Sequence, residues 1–201
     1  MSLSYVQKMN RAFNFICAAL GLLFLLPLLT VIALLVKCGD GGPVFYAQLR
    51  VGKGFRPFRL LKFRSMVVDA DKHGLLTAPC DRRLTRPGRL LRKHKLDELP
   101  QLWNVLTGDM QLVGVRPEVE PYVAMFREQY TLLLSEPPGI TDPASLAYRG
   151  EENLFVAGRM EQQYVSEILP QKLRLSMDYQ RHRSFFSDLR VLLRTVLNLM
   201  A

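Results

Sequence analysis

Residues 12–36, AFNFICAALGLLFLLPLLTVIALLV, form a run of twenty-five residues without a charged side chain. A helix needs about 20 apolar residues to cross the hydrocarbon core of a bilayer, so this run predicts a membrane-embedded helix. The run is longer than the apolar region of a cleaved signal peptide, about 7–15 residues, and it lacks an A-x-A-like cleavage site. We therefore expect it to anchor the protein in a membrane.

Basic residues flank the run on both sides, so the sequence is compatible with more than one path of the helix through the membrane. They are Lys8 and Arg11 before it, and Lys37, Arg50, Lys53 and Arg56 after it. Since basic flanks favour the cytoplasmic side, a helix that bends and returns to the same face would satisfy both. Pro27, near the centre, would supply the bend, because proline removes a backbone hydrogen bond and clashes with the preceding turn. A kinked spanning helix is the alternative, since proline is tolerated in those helices too.

Beyond this run, composition indicates one further domain with a polyanionic partner. The chain has 201 residues, of which 49% are hydrophobic, and a formal net charge of +9. This length allows one core and one additional element. The charge fits nucleic acid, an acidic membrane surface or a phosphorylated substrate. Cys17, Cys38 and Cys80 are an odd number without metal-site spacing, so neither a disulfide framework nor a zinc cluster is predicted.

The remainder is predicted to be a mixed domain in which helices dominate. A loop signal, GDGGP at residues 39–43, separates it from the apolar run. Turn residues and apolar periodicity predict strands at 44–48, 58–63 and 110–115. A loop is predicted at 79–88. Helices are predicted at 89–95, 97–108, 117–134, 162–180 and 184–200. The last helix is amphipathic, and it would either pack on the core or lie in a lipid interface.

Asp97 and Glu98 are the carboxylates whose surroundings suggest chemistry. Adjacent carboxylates at a helix start are commonly capping residues, and capping is the simpler interpretation. Basic residues, however, stand on both sides of the pair in sequence: Lys62 and Arg64 in KFRSM, Arg92 in the basic helix, and Arg116 in VGVRP. Such cations would hold phosphate oxygens and lower the pKa of Asp97. Neither a P-loop nor a GxGxxG turn is present, so a phosphate would have to be held by side chains or by a metal.

Four motifs follow the apolar run in order: KFRSM at 62–66, LDELPQLWNVLTGDM at 96–110, VGVRP at 113–117 and PGIT at 138–141. Together they resemble the monotopic phosphoglycosyl transferases of the bacterial sugar transferase family, from about Phe13 to Leu197. The resemblance implies an α+β, mostly helical fold with a membrane re-entrant helix in residues 1–38, broken at Pro27. Residues 39–201 would form a small cytoplasmic catalytic domain with short strands and amphipathic interfacial helices, at the cytoplasmic face of the bacterial inner membrane.

The same resemblance implies a reaction. A sugar 1-phosphate would pass from a UDP-sugar to undecaprenyl phosphate, or another polyprenyl phosphate, in the first membrane step of glycan assembly. Asp97 would attack the β-phosphate and release UMP, Glu98 would assist with metal or proton handling, and both would bind Mg²⁺. The predicted phosphate-binding residues are Lys62, Arg64, Arg92 and Arg116. Membrane lipid is a further expected partner and nucleic acid is not, whereas the sugar and the oligomeric state are not predicted.

Three positions depart from the family pattern, and two other functions compete with the transferase. Val115 stands where the family usually has proline, and Asp142 stands where many members have glycine. Ser176 lies near the position where an acidic residue is expected, and Asp178 could take the place of that acid.

One competing function is a non-enzymatic anchored protein whose basic domain binds anionic lipid or nucleic acid. The other is a membrane-bound phosphohydrolase that uses the same carboxylates.

Overall fold

A computed structural model describes residues 3–70, 76, 81–156 and 158–200, leaving aside the side chains of residues 3–10, 152, 199 and 200. The described part is mostly helical with a few short strands, as predicted. Its elements are α1 Leu3–Asp40, β1 Phe45–Val51, β2 Pro57–Phe63, α2 Arg86–Lys93, α3 Gln101–Thr107, β3 Gln111–Val113, α4 Glu120–Met125, α5 Arg127–Leu133, β4 Gly139–Thr141, α6 Pro143–Ala147, α7 Met160–Gln163, α8 Leu169–Arg181 and α9 Phe185–Met200.

The strands form two separate pairs. β1 and β2 are antiparallel, with Phe45 opposite Phe63, and their side chains stack at 5.3 Å between ring centroids. β3 and β4 are parallel. Gly139, the first residue of β4, lies against the backbone of Gly114, the residue after β3, so closely that a Cβ atom on Gly139 would be 2.1 Å from the Gly114 nitrogen. The chain leaving β3 reaches Arg116, so this glycine contact fixes the approach of a predicted site residue.

Helix α1 is, within the described residues, the one helix long and apolar enough to cross a membrane, judged by length and composition. Most of its apolar side chains are exposed, and Phe24 is 86% exposed. The helix continues through Pro27, so the predicted break at Pro27 is not observed. One proline removes a single hydrogen bond, and the flanking residues keep their helical conformation here. A return of the chain to the same membrane face stays a prediction, as does the division into domains at residues 38 and 39.

Both halves of α1 pack on the rest of the protein. In the first half, Ala18 is fully buried in an apolar cluster that includes residues of β2, α3, β3 and α9. In the second half, Ile32 and Val36 join a cluster with residues of β2 and α2. Asn14 adds a polar contact, because its side-chain oxygen accepts a hydrogen bond from the backbone N–H of Leu112 at 2.7 Å. The helix is therefore attached to the domain near both ends of its apolar run.

One predicted helix is divided, one is continuous but contains a π-helical turn, and one begins early. The segment 117–134 forms α4 and α5, separated at Phe126, whose backbone (φ −121°, ψ 39°) leaves the helical region. The segment 162–180 forms α7, a π-helical turn Tyr164–Ile168 and α8. Pro170 follows directly on the π-helical turn, inside this continuous helix, so its missing N–H removes one backbone hydrogen bond without ending the helix. Helix α2 begins at Arg86, inside the predicted loop 79–88, of which residues 79 and 80 lie outside the described part.

Candidate functional site

The carboxylate pair lies on a 3₁₀ turn, Leu96–Glu98, between α2 and α3. Lys95 precedes the turn with a left-handed backbone (φ 56°) that redirects the chain after α2. Lys95 and Pro100 occupy the N-cap positions of the turn and of α3. Asp97 is therefore not a helix cap, and the predicted capping role is wrong.

Glu98 is the centre of a partly buried group of ion pairs. Arg116 donates to both carboxylate oxygens of Glu98, to Oε2 at 3.0 Å and to Oε1 at a shorter distance. The Nζ atom of Lys62 lies 3.6 Å from Oε1. Burial would raise the pKa of Glu98, but the two cations outweigh burial and hold this pKa far below its usual range. Glu98 is thus ionised, with both oxygens engaged.

Asp97 is the more deeply buried carboxylate, only 4% exposed. Across the part of the chain that the structure describes, no hydrogen bond or ion pair joins its side chain to another residue. Burial raises the pKa of Asp97 and Glu98 raises it further, whereas Lys62, Arg92 and Lys95 act in the opposite direction. The expected lowering of this pKa is wrong, because burial and the adjacent carboxylate have the larger effect. A buried carboxylate without a protein partner can receive a cation or attack an electrophile.

Lys62 and Arg92 approach the pair from β2 and α2. Burial lowers the pKa of Lys62 to about 8, even though Glu98 opposes the shift. The Nε atom of Arg92 donates to the hydroxyl of Ser65 at 3.1 Å, and its positive charge acts on Asp97. The structure therefore brings together five of the six residues predicted for the site: Lys62, Arg92, Asp97, Glu98 and Arg116.

Arg64 does not join this group. Its guanidinium pairs with Asp40 at the end of α1 and donates to the carbonyl oxygens of Pro43 at 2.6 Å and Met66 at 3.3 Å. Gly42 is packed so closely that a Cβ atom there would lie 2.8 Å from a guanidinium nitrogen. These contacts hold the end of α1 against β2. They give Arg64 a structural role, and its phosphate-binding role stays a prediction.

Two buried amides beside the carboxylate pair were missed by the sequence reasoning. The side chain of Asn104 accepts from the backbone N–H of Leu61 at 3.0 Å and donates to the carbonyl of Arg59 at 2.8 Å. It thereby fixes α3 to the edge of β2, the strand that carries Lys62. Gln101 is also buried, and its side-chain nitrogen has no hydrogen-bond partner within the described ranges. A polar residue on an otherwise apolar helix face is the signal that could have pointed to Asn104.

A second polar group lies on the far side of Arg116. The hydroxyl of Tyr164 donates to Glu118 at 2.8 Å, and Lys172 pairs with Glu151 at 2.7 Å. Glu118 and Glu151 both raise the pKa of Arg116, although Glu98 does so more strongly. The charge network therefore continues beyond the carboxylate pair.

The two unusual residues Asp142 and Ser176 contact each other in this region. Asp142 follows β4 and caps α6, because its side chain accepts a hydrogen bond from the backbone N–H of Ser145 at 2.8 Å. The hydroxyl of Ser176 donates a hydrogen bond to the other carboxylate oxygen of Asp142. Together with Arg116 they line a cavity of about 20 Å³, enough for about one water molecule. Two of the three departures from the family pattern, Asp142 and Ser176, therefore form one hydrogen-bonded unit next to the site, and Val115 lines the same cavity.

The carboxylate pair suits a divalent cation only in part. Among the described residues, no group of three or more His, Cys, Asp and Glu side chains is arranged to hold a metal. Mg²⁺ is commonly bound by one or two carboxylates together with substrate phosphates, so a pair is sufficient. Asp97 fits this role because its oxygens have no partner among the residues that the structure describes, whereas Glu98 fits only if Arg116 or Lys62 moves away from it.

Comparison with known proteins gives the family. Residues 5–201 match the family model of the bacterial sugar transferases. One relative is a UDP-N-acetylgalactosamine-undecaprenyl-phosphate N-acetylgalactosaminephosphotransferase of Aeromonas hydrophila, 44% identical over 58% of this chain and 28% of the relative. Two others are UDP-glucose:undecaprenyl-phosphate glucose-1-phosphate transferases, both 36% identical. The Escherichia coli protein aligns over 94% of this chain and 40% of its own length, and that of Caulobacter vibrioides over 97% and 71%.

The chain thus spans less than half the length of the Aeromonas and Escherichia relatives, but nearly three quarters of the Caulobacter one. The family match covers almost the whole of the chain. This protein belongs to the bacterial sugar transferase family.

Proposed function

We propose that this protein transfers a sugar 1-phosphate from a UDP-sugar to undecaprenyl phosphate and releases UMP. The observation that carries the proposal is Asp97, a buried carboxylate without a partner in the described part of the chain. It is held beside the ionised group of Glu98, Arg116 and Lys62. By their names, the relatives described above use UDP-sugars and undecaprenyl phosphate. Since those names include both glucose and N-acetylgalactosamine, the sugar is not part of the proposal.

The first step is attack by a carboxylate oxygen of Asp97 on the β-phosphorus of the donor. The bond from this phosphorus to the oxygen bridging the two phosphates breaks, and UMP leaves with that oxygen. A phosphosugar remains bonded to Asp97. Arg116 and Lys62 contribute by holding the phosphate oxygens, because an arginine can bind them in a bidentate manner and both charges oppose the negative charge that develops. Arg92 supplies a further positive charge beside Asp97.

In the second step an oxygen of the polyprenyl phosphate attacks the same phosphorus. The bond between Asp97 and phosphorus breaks, which restores the carboxylate and gives a sugar diphosphate linked to the lipid. Covalent catalysis of this kind divides one difficult transfer between a soluble donor and a membrane-bound acceptor into two easier ones. The role of Glu98 is to keep Arg116 and Lys62 charged and in place until phosphate binds.

We propose that Asp97 would hold Mg²⁺, and Glu98 would be a second ligand if Arg116 exchanged this carboxylate for the donor phosphates. When bound, it would neutralise charge on the diphosphate and on the leaving group. The arrangement of Arg116 across Glu98 suits such an exchange, since the guanidinium can bind a carboxylate or a phosphate with the same geometry.

The membrane arrangement that we propose is a helix α1 that enters and leaves on the cytoplasmic face. In a straight helix, Ala18 and Val36 would be about 27 Å apart, close to the thickness of the hydrocarbon core of about 30 Å. Both are nevertheless buried in apolar clusters with residues of β2. A domain that touches both ends of the run fits a bent or shallow path better than a perpendicular one. The membrane that we propose is the bacterial inner membrane.

The experiment compares UMP release with and without acceptor. Purified protein receives a panel of UDP-sugars and Mg²⁺, first alone and then with undecaprenyl phosphate. We expect a burst of about one UMP per protein molecule with donor alone, and continued release once the acceptor is present. Continued release without acceptor would identify a phosphohydrolase. The absence of release with every UDP-sugar would instead favour the non-enzymatic, anion-binding protein.

A further inference from the structure

Helix α9 carries an exposed apolar face with a basic side next to it. Five apolar side chains at helical spacing are 48–78% exposed: Phe186, Leu189, Leu193, Val196 and Leu197. Arg190 and Arg194 are one turn apart on the adjacent side and are exposed as well. Neither arginine makes a hydrogen bond or an ion pair with any residue that the structure describes. The reaction proposed above uses none of these side chains.

The two arginines line an open groove of about 820 Å³ between α6 and α9. Leu146 and Val191 contribute apolar surface to the same groove. The end of α8 contributes Asp178 and His182, whose side chains lie 3.7 Å apart. The groove thus combines two cations that have no partner among the described residues, one acid that opposes their positive charge, and apolar walls. This is the chemistry that would recognise an anion attached to an apolar chain.

The apolar face of α9 continues into that of α1. The ring of Phe185, at the start of α9, lies edge-on to Phe13 of α1 at 5.3 Å between centroids. Nearby on α1, Phe15, Ile16 and Leu20 are each more than half exposed. An apolar phase that covers α1 would therefore extend over α9 and bring the groove to the level of the lipid headgroups.

We propose that this groove binds the headgroup phosphate of an anionic phospholipid, with Arg190 and Arg194 on the phosphate and the acyl chains along the apolar face of α9. Charge complementarity and the continuity with α1 favour a lipid over a soluble polyanion, which would leave the apolar face uncovered. The site is separate from the carboxylate pair and does not depend on the proposed transfer reaction.

The test measures lipid binding to the full chain in detergent by native mass spectrometry. The protein is titrated with phosphatidylglycerol and, separately, with phosphatidylcholine, and the apparent Kd of the first bound lipid is determined. One arginine near an anionic lipid surface contributes about 1 kcal/mol, or roughly a fivefold preference. We expect R190Q/R194Q to raise the Kd for phosphatidylglycerol by at least about fivefold and to leave that for phosphatidylcholine unchanged. D178N, which removes the acid from the groove, should lower the Kd for phosphatidylglycerol.

The matched control is R56Q/R159Q, which removes two exposed arginines outside the groove and should leave both Kd values unchanged. UMP release by R190Q/R194Q in detergent should equal that of the wild type, which separates this proposal from the transfer reaction. The proposal is overturned if the Kd for phosphatidylglycerol is unchanged, or if it rises equally for both lipids. Undecaprenyl phosphate is titrated in the same way, and the proposal is also overturned if R190Q/R194Q weakens only its binding, because the groove would then be an acceptor site.

Discussion

Replacing Arg116 by lysine tests the proposed phosphate clamp. The Arg116 guanidinium spans both oxygens of Glu98 and would exchange this partner for the donor phosphates. Lysine keeps the charge but has no planar fork, so one of the two parallel hydrogen bonds is lost. A hydrogen bond to a charged group contributes about 1.5–3 kcal/mol. R116K should therefore lower kcat/KM for the UDP-sugar by about 10- to 150-fold.

The assay is UMP release at saturating undecaprenyl phosphate with a varied UDP-sugar. R127K is the matched control, because Arg127 lies over the ring of Phe55 at 4.5 Å and takes no part in the charge group around Glu98. It should change kcat/KM less than threefold. If R116K also stays within threefold of the wild type, a bidentate contact from Arg116 to phosphate is refuted.

Three further predictions concern packing and metal. Asn104→Ala removes the side-chain partner of two partly buried backbone groups of β2, each hydrogen bond contributing about 0.5–1.5 kcal/mol, so thermal unfolding in detergent should begin several degrees lower. Asn153→Ala, at an exposed position, should have little effect. Equal melting temperatures of the two variants would contradict this interpretation. Gly88→Ala would place a Cβ atom 1.9 Å from the carbonyl oxygen of Ser65, so α2 would have to shift and stability should fall. A Gly88→Ala variant with unchanged stability and activity would contradict this packing. Removing Mg²⁺ with EDTA should stop UMP release and re-addition should restore it, whereas a full rate in EDTA would remove the metal from the mechanism.

The elements with a strong periodic pattern were predictable from sequence. The apolar run of α1, the strand pair β1 and β2, and the amphipathic helix α9 all lie where hydrophobicity placed them. The division between α4 and α5 was not, because the backbone of Phe126 leaves the helical region without a glycine or proline to signal it. The continuity of helix α1 through Pro27 was not predicted, because proline is a strong local signal for a helix break and yet is tolerated within this long apolar helix.

The candidate site was predictable in its residues but not in its electrostatics. The motifs identified five side chains that the fold brings together. The partner of Arg64 was hidden, because Asp40 lies 24 positions away at the end of another element. The pKa of Asp97 could not be read from basic neighbours in sequence, since burial has the largest effect on it and is a property of the fold. Likewise, nothing in the sequence indicated that Asp142 and Ser176 would share a hydrogen bond.

The account depends most on a covalent bond between Asp97 and phosphorus. The direct measurement is mass spectrometry of protein incubated with the UDP-sugar and Mg²⁺ but without acceptor. We expect the intact mass to rise by one phosphosugar, the modified peptide to carry the adduct on Asp97, and undecaprenyl phosphate to remove it. D97N should acquire no adduct. An adduct on another residue, or an active enzyme on which none can be trapped, would contradict the central claim.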